Sequence, residues 1–296
     1  MTGASRGPAV TATDWPAPAK INLFLHVVGR RADGYHRLQT LFQFLDYGDT
    51  VTVTPREDGA IRAHHRLEGL DPEQDLVVRA ARRLQAVTGT TRGADLTVTK
   101  RLPAGGGLGG GSSDAATTLV ALNRLWGTGL DEAALAELGL GLGADVPVFV
   151  RGRAAWAEEV GEALTPVDIP EPWYLVVVPP VAVRTAAIFG DPQLNRDMAP
   201  ITMEDYLAGR GTNALEAVVA AREPEVAEAL AWLRAFAPAR MTGSGACLFA
   251  AFEQRREAEA VAARLPARWA GFVARGRNRS PLLQGEWTDY WGVAKR

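Results

Sequence analysis

Six of the seven residues from Gly105 to Gly111 are glycine, Leu108 being the interruption. The run lies between a short strand-like stretch, Leu96 to Thr99, and a helical pattern carrying Leu119, Val120, Leu122, Leu125 and Trp126. A flexible linker would not normally join a strand directly to an amphipathic helix that opens on Ser112, Ser113 and Asp114. Glycines permit positive φ and close backbone approach, and a helix N-terminus offers unpaired N–H groups and a favourable dipole. The unit therefore suits a polyphosphate, held by Pro103, Ala104, Gly105, Gly106, Gly107, Leu108, Gly109, Gly110, Gly111, Ser112 and Ser113. General glycine patterns do not identify the nucleotide. Gly105, Gly107 and Gly110 fit the dinucleotide spacing, but so rich a run fits it trivially, and no acidic residue ends a strand about 20 residues later. The P-loop lysine is missing, as are the protein-kinase signatures.

A chain of 296 residues can bury a sizeable core, and its 47% hydrophobic and 22% charged residues are those of a globular protein. The formal charge of −2, without a basic block, argues against nucleic acid as a partner but leaves room for an anionic small ligand met by local cations and backbone N–H groups. Cys247 is the only cysteine, so no intrachain disulfide can form, and a cytoplasmic, reducing compartment fits best. Neither a membrane span nor a secretion signal is expected; Met1 to Pro16 reads as a frayed start.

Ile21, Leu23, Leu25 and Val27 alternate with Lys20, Asn22, Phe24 and His26, the period of a half-buried strand, which puts Lys20 and Asn22 on one face. A turn at Asp33-Gly34 leads to a strand over 38–45 and a third over 50–54. Leu76, Val77, Ala80, Leu84 and Val87 recur at helical spacing. Asp131 is a candidate N-cap for a helix carrying Leu135, Leu138 and Leu142, and after the turn Gly143-Ala144-Asp145 the run 146–150 reads as a strand. Pro166, Pro170 and Pro172 mark a candidate boundary between domains over 1–170 and 171–296. Beyond it the patterns predict a strand at 174–178, helices over 213–221 and 225–236, a strand at 247–252, a helix ending near Leu265 and a strand near 269–273. His64-His65 reads as a solvated pair, and Cys247 as a small residue packed beside the glycine loop.

Three segments carry a resemblance. Pro-Ala-Lys-Ile-Asn-Leu at 18–23, the loop 102–114 and Thr-Gly-Ser-Gly-Ala-Cys at 242–247 resemble, in order, the three motifs of the GHMP small-molecule kinases. Gly-Arg-Arg-Ala-Asp-Gly-Tyr-His at 29–36, Gly-Ala-Asp-Val-Pro-Val-Phe at 143–149 and Ala-Ala-Ile-Phe at 186–189 are similar to the branch of that family acting on diphosphocytidyl methylerythritol. The resemblance implies a two-domain α+β fold, with an N-terminal α/β domain built on a mixed sheet, a C-terminal ferredoxin-like α+β domain, and the active site in the cleft between them. It implies transfer of the ATP γ-phosphoryl group to the C2 hydroxyl of that alcohol, in the non-mevalonate isoprenoid pathway, by a monomer or homodimer.

The resemblance matches Asp145 to a catalytic aspartate and Lys20 to its partner. Alone, Asp145 reads more readily as a turn or capping residue, and Lys20 equally well as a solvated strand end. The chemistry gives both work: an aspartate can orient the hydroxyl and accept its proton, and an ammonium offsets negative charge. Tyr35, His36 and Phe189 match cytosine-binding positions, with Asn22 and Thr185 lining the substrate site; without the motifs they read as a hairpin aromatic, a surface histidine and a core phenylalanine. Mg²⁺ is expected with ATP, its ligands left open, with Ser113 a candidate. Ala214 stands where related kinases often carry aspartate after asparagine. Homoserine or mevalonate-like alcohols, and a nucleotide-binding regulator without turnover, are the alternatives; the Tyr35-His36 pair and 186–189 weigh against the former, Lys20 with Asp145 against the latter.

Overall fold

The computed structural model describes residues 11–32, 34–65 and 72–284. Asp33 and the tail from residue 286 onward lie outside them. In chain order the elements are β1 (Thr13–Arg30), β2 (His36–Arg56), β3 (Ile61–Ala63), α1 (Leu76–Thr88), β4 (Gly93–Thr99), α2 (Gly110–Trp126), α3 (Glu132–Leu140), α4 (Val146–Arg151), β5 (Ala155–Glu158) and β6 (Ala163–Pro166). There follow β7 (Trp173–Val178), α5 (Thr185–Phe189), α6 (Met203–Leu207), α7 (Glu216–Arg222), α8 (Pro224–Arg234), β8 (Ala239–Met241), β9 (Leu248–Phe252), α9 (Arg255–Ala262) and β10 (Ala270–Arg277).

β1 and β2 form a long antiparallel pair, from Thr13↔Val53 to Arg30↔His36, and residues 17–27 of β1 are buried on both faces, where the alternation in sequence predicted a half-buried strand. The two strands expected over 38–45 and 50–54 are one, because Gly48 lets the backbones of β2 and β1 close up: a Cβ there would lie 2.2 Å from the Ala17 carbonyl oxygen. β4 joins β2 antiparallel and β3 joins β4 in parallel, so the first sheet is mixed. Helices α1 and α2 cover it over a core that includes Trp15, Phe44, Leu84, Leu96, Leu119 and Phe149. The second half is ordered β10-β7-β9-β8, all antiparallel, and its chain order β7-α-β8-β9-α9-β10 is the ferredoxin-like arrangement. β10 also pairs with β2 at Gly276↔Leu45, and a buried cluster containing Ile21, Leu41, Tyr174 and Phe249 seals the join. Residues 167–172, the proline-rich stretch, connect β6 to β7.

One element differs in type from expectation. Residues 146–150 form α4, not a strand. Pro147, in the first turn, presets helical φ, and burial of Val146, Val148, Phe149 and Val150 against the core outweighs the β-preference of the valines. Residues 13–16, expected within a frayed start, instead open β1, because Trp15 is fully buried in the core. Most other expected elements fall within a few residues of the observed ones, and Asp131 caps α3 by accepting from the Ala134 N–H at 2.8 Å.

Candidate active site

The strand register of β1 places Lys20 and Asn22 on one face, and the side chains meet: Lys20 Nζ donates to Asn22 Oδ1 at 2.6 Å. Lys20 is only 3% exposed, with its Nζ 3.2 Å from Asp145 Oδ2 and 5.2 Å from the Phe42 ring centroid. Asn22 Nδ2 in turn donates to Thr40 Oγ1 at 2.9 Å, and Thr40 donates to the Phe24 carbonyl. Asp145 occupies the N-cap position of α4 but makes no side-chain cap bond, so its carboxylate, 34% exposed, is committed to Lys20 and to the cleft. The capping role that Asp145 alone suggests is not the one it fills.

The glycine loop lies over this pair, strapped to two distant segments. The Lys20 N–H donates to Leu108 O at 3.0 Å, and the Cys247 N–H to Gly106 O at 3.2 Å. Thr242 Oγ1 accepts from the Asn22 N–H at 2.9 Å and faces Gly107 O at 3.4 Å. Gly107, at φ +77°, comes so near that a Cβ would sit 2.2 Å from Thr242 O. Asn213 secures the third segment, donating to the carbonyls of Met241 and Gly243 at 2.8 and 2.9 Å. Ala214 packs at the edge of the apolar cluster of the second half, its N–H donating to Leu25 O at 2.7 Å. Cys247 is fully buried beside the loop as expected, and burial pushes its thiol up to about 12.

These segments enclose a cleft of about 960 Å³ lined by Pro103 to Ser112, Lys20, Asn22, Asp145, Thr185 and Phe189. Thr185 Oγ1 and Ser244 Oγ are 2.7 Å apart at its rim. Three residues expected at the site do not line this cleft. Ser113 is fully buried, and its hydroxyl has no hydrogen-bond partner among the described residues, because the first turn of α2 directs it into the core. His36 sits beside Phe189, ring centroids 5.0 Å apart at 34°, and Tyr35 is 66% exposed at the hairpin end.

Beneath the loop lies a charge cluster that sequence spacing did not single out. Asp49 Oδ1 accepts from the N–H groups of Arg101 and Leu102 at 2.5 and 2.8 Å, and Lys100 Nζ joins Asp49 to Asp114, 2.8 Å from the latter. Burial drives Asp114 up to about 7, with Asp49 adding to and Lys100 opposing the rise. Burial works against the Lys100 charge too, yet Asp114 and Asp49 together hold its pKa above the usual value. The sequence separation of 51 between Asp49 and Lys100 hid the pairing. His65 is likewise no solvated histidine: its Nε2 lies 2.7 Å from Asp75 Oδ2, both side chains 7% exposed, while the exposed His64 faces Asp95 at 2.7 Å.

A mixed sheet half and a ferredoxin-like half enclosing a glycine loop, with a lysine–aspartate pair facing that loop, define a class of phosphotransferase. The model of the GHMP kinases N terminal domain matches residues 75–153 and that of the GHMP kinases C terminal domain residues 184–271. The chain belongs to the GHMP kinase family, whose members take the phosphoryl group from ATP. A protein of Halorhodospira halophila named 4-diphosphocytidyl-2-C-methyl-D-erythritol kinase is 60% identical over 90% of this chain and 94% of its own length. One of the same name from Ectopseudomonas mendocina is 58% identical over 93% and 94%. A solved 4-(cytidine 5'-diphospho)-2C-methyl-D-erythritol kinase superposes with a TM-score of 0.78 at 34% identity, covering 89% of this chain and all but 1% of that one (99%). A mevalonate kinase, at TM-score 0.66 and 14% identity over 91% of this chain and 99% of its own, shares the fold. These relatives set the chain in the 4-diphosphocytidyl-2-C-methyl-D-erythritol kinase branch of the family. No helix among the described residues is long and apolar enough to cross a membrane.

Proposed function

We propose that the protein transfers the γ-phosphoryl group of ATP to the 2-hydroxyl of 4-diphosphocytidyl-2-C-methyl-D-erythritol, in the methylerythritol phosphate route to isoprenoid precursors. The observation that carries the mechanism is the Lys20–Asp145 pair, 3.2 Å apart, in the same cleft as the glycine loop. Asp145 orients the hydroxyl and accepts its proton as the new O–P bond forms and the bond from the γ-phosphorus to the β–γ bridging oxygen breaks, releasing ADP. Lys20, held by Asn22 and the Phe42 face, offsets negative charge at the reacting centre. The loop from Pro103 to Ser112 cradles the phosphates with backbone N–H groups. Tyr35, His36 and Phe189 take the cytosine, with Asn22 and Thr185 along the rest of the substrate.

ATP would arrive with Mg²⁺, which neutralises phosphate charge when bound. Such an ion takes one or two protein oxygens plus substrate phosphates. Asp114, whose Oδ1 has no partner among the described residues and which borders the cleft, and Ser112 fit that need; the inward-facing Ser113 does not. We place the reaction in the cytoplasm, where ATP is supplied. The test is ATP turnover by the purified protein with diphosphocytidyl methylerythritol, homoserine and mevalonate side by side. Turnover confined to the cytidine substrate is expected; turnover confined to either other alcohol overturns the proposal.

A further inference from the structure

Behind Phe189, at the edge of the cleft, lies a residue for which the mechanism above has no role. Arg196, in the connection between α5 and α6, donates from Nε to His36 Nε2 at 3.1 Å. Its Nη2 donates to the carbonyls of Phe189 and Asp191, both at 2.7 Å, and its Nη1 to that of Leu194 at 3.1 Å. The connection is itself held: Leu194 is buried in the core of the second half, and the Met198 N–H donates to Val27 O at 3.0 Å. One planar fork thus ties together the first residue of β2, the aromatic end of α5 and an anchored loop.

A guanidinium has only donors and stays protonated. The contact with His36 therefore has one sense: Nε2 accepts, and in the neutral ring the hydrogen must sit on Nδ1. A histidine tautomer is usually open, but here the partner decides it.

We infer that Arg196 is a positioning and specificity-determining residue, which fixes His36 as the Nδ1–H tautomer so that it offers the substrate's base a hydrogen-bond donor and thereby selects cytosine over uracil. Cytosine presents an acceptor at N3, whereas uracil presents an N–H there, so a fixed donor pairs with the first and opposes the second. A site built to hydrogen-bond one group discriminates strongly against an analogue that cannot complete the bond, since its buried polar atom is then left unpaired. The electrostatics agree: burial first, then the positive charges of Arg196 and Arg30, lower the His36 pKa and keep the ring neutral. This inference rests on the proposed cytidine substrate.

The experiment compares the full-length parent with Arg196→Ala by two readouts. The first needs no substrate. Nitrogen NMR of the His36 imidazole should show the Nδ1–H form in the parent, and mixed tautomers with a higher pKa in the variant, because a neighbouring cation has been removed. The second is steady-state kinetics with diphosphocytidyl methylerythritol and its uridine counterpart. KM for the cytidine substrate should rise about tenfold in the variant, as loss of one hydrogen bond implies, with kcat within about twofold. The preference for cytidine over uridine should collapse by a similar factor, and added guanidinium should restore part of it. Arg196→Lys keeps the charge without the fork and should fall short in the same way; it serves if the alanine variant does not fold. An unchanged tautomer in the variants, or a shifted tautomer with discrimination intact, overturns the inference. If instead Phe189→Ala and Tyr35→Ala leave the parent KM for the cytidine substrate unmoved, the substrate reading itself fails, whatever the NMR shows.

Discussion

Asp145 is a carboxylate that the local backbone does not use. It stands at the start of α4 without capping it, and it pairs with Lys20 at 3.2 Å. Replacing it with asparagine keeps the volume and removes the proton acceptor. Asp145→Asn should lower kcat by about 10²- to 10⁴-fold with KM for the alcohol little changed. Steady-state kinetics decides this, and a kcat near that of the parent would remove Asp145 from the role of base. Lys20 and Asn22 were readable as neighbours because a strand returns to the same face every second residue. The Asp49–Lys100–Asp114 cluster and Arg196 were not readable, since each joins residues from separate elements or loops that no local period links.

At the scale of elements, the glycine loop and the start of α1 behave differently under substitution. Gly107 sits at positive φ against the Thr242 backbone, so Gly107→Ala meets both left-handed strain and a carbonyl that cannot move aside. A marked drop in Tm is expected. Gly110, the first residue of α2, has only side-chain atoms nearby, Lys100 Nζ at 3.3 Å being nearest to an added Cβ. Gly110→Val should leave the protein folded and weaken ATP binding, because the branched side chain enters space the phosphates need. Unchanged ATP affinity by calorimetry would count against the phosphate-loop assignment. At α1, Asp75 caps the helix through the Val77 N–H at 2.9 Å and pairs with His65. Asp75→Ala should cost about 1–2 kcal/mol, the worth of a helix cap, with more for the stranded histidine. Burial would raise the Asp75 pKa, but the bonds from His65 and Val77 outweigh it and lower it from 3.8; the Asp75 bond raises that of His65 from 6.5 against desolvation. A lowered carboxylate stabilises above its unfolded pKa, and a raised histidine below its own. The pair is therefore at full strength between 3.8 and 6.5, weakening as pH falls through the depressed Asp75 value or rises through the raised His65 value. The Tm gap between the parent and His65→Gln should be largest in that window and shrink as pH rises through the raised His65 value. A gap independent of pH would show that the pair is not ionised in the folded protein.

For the whole molecule, the cleft exists because two halves of different architecture share a seam, with β10 pairing to β2 and the Tyr174 hydroxyl donating to Gln43 at 2.7 Å. The seam brings residues near 20, 107 and 242 within hydrogen-bond reach of one another. The three motifs were legible in order along the sequence, and so were most elements, because periodicity and caps are local. Residues 146–150 were misread because a short apolar run fits a buried helix as well as a strand, and only the core decides. Ser113 was placed in the site by position in the loop, though its direction depends on the turn of α2. The central claim is transfer to one particular hydroxyl, and the most direct measurement is the phosphorus NMR spectrum of the product formed from ATP and diphosphocytidyl methylerythritol. The C2 carbon carries a methyl group and no hydrogen, so a C2 monoester should give a new resonance without three-bond coupling to a carbinol proton, alongside one ADP per phosphate transferred. A new monoester resonance split by such a coupling, or ADP formed without any new ester, would contradict the account.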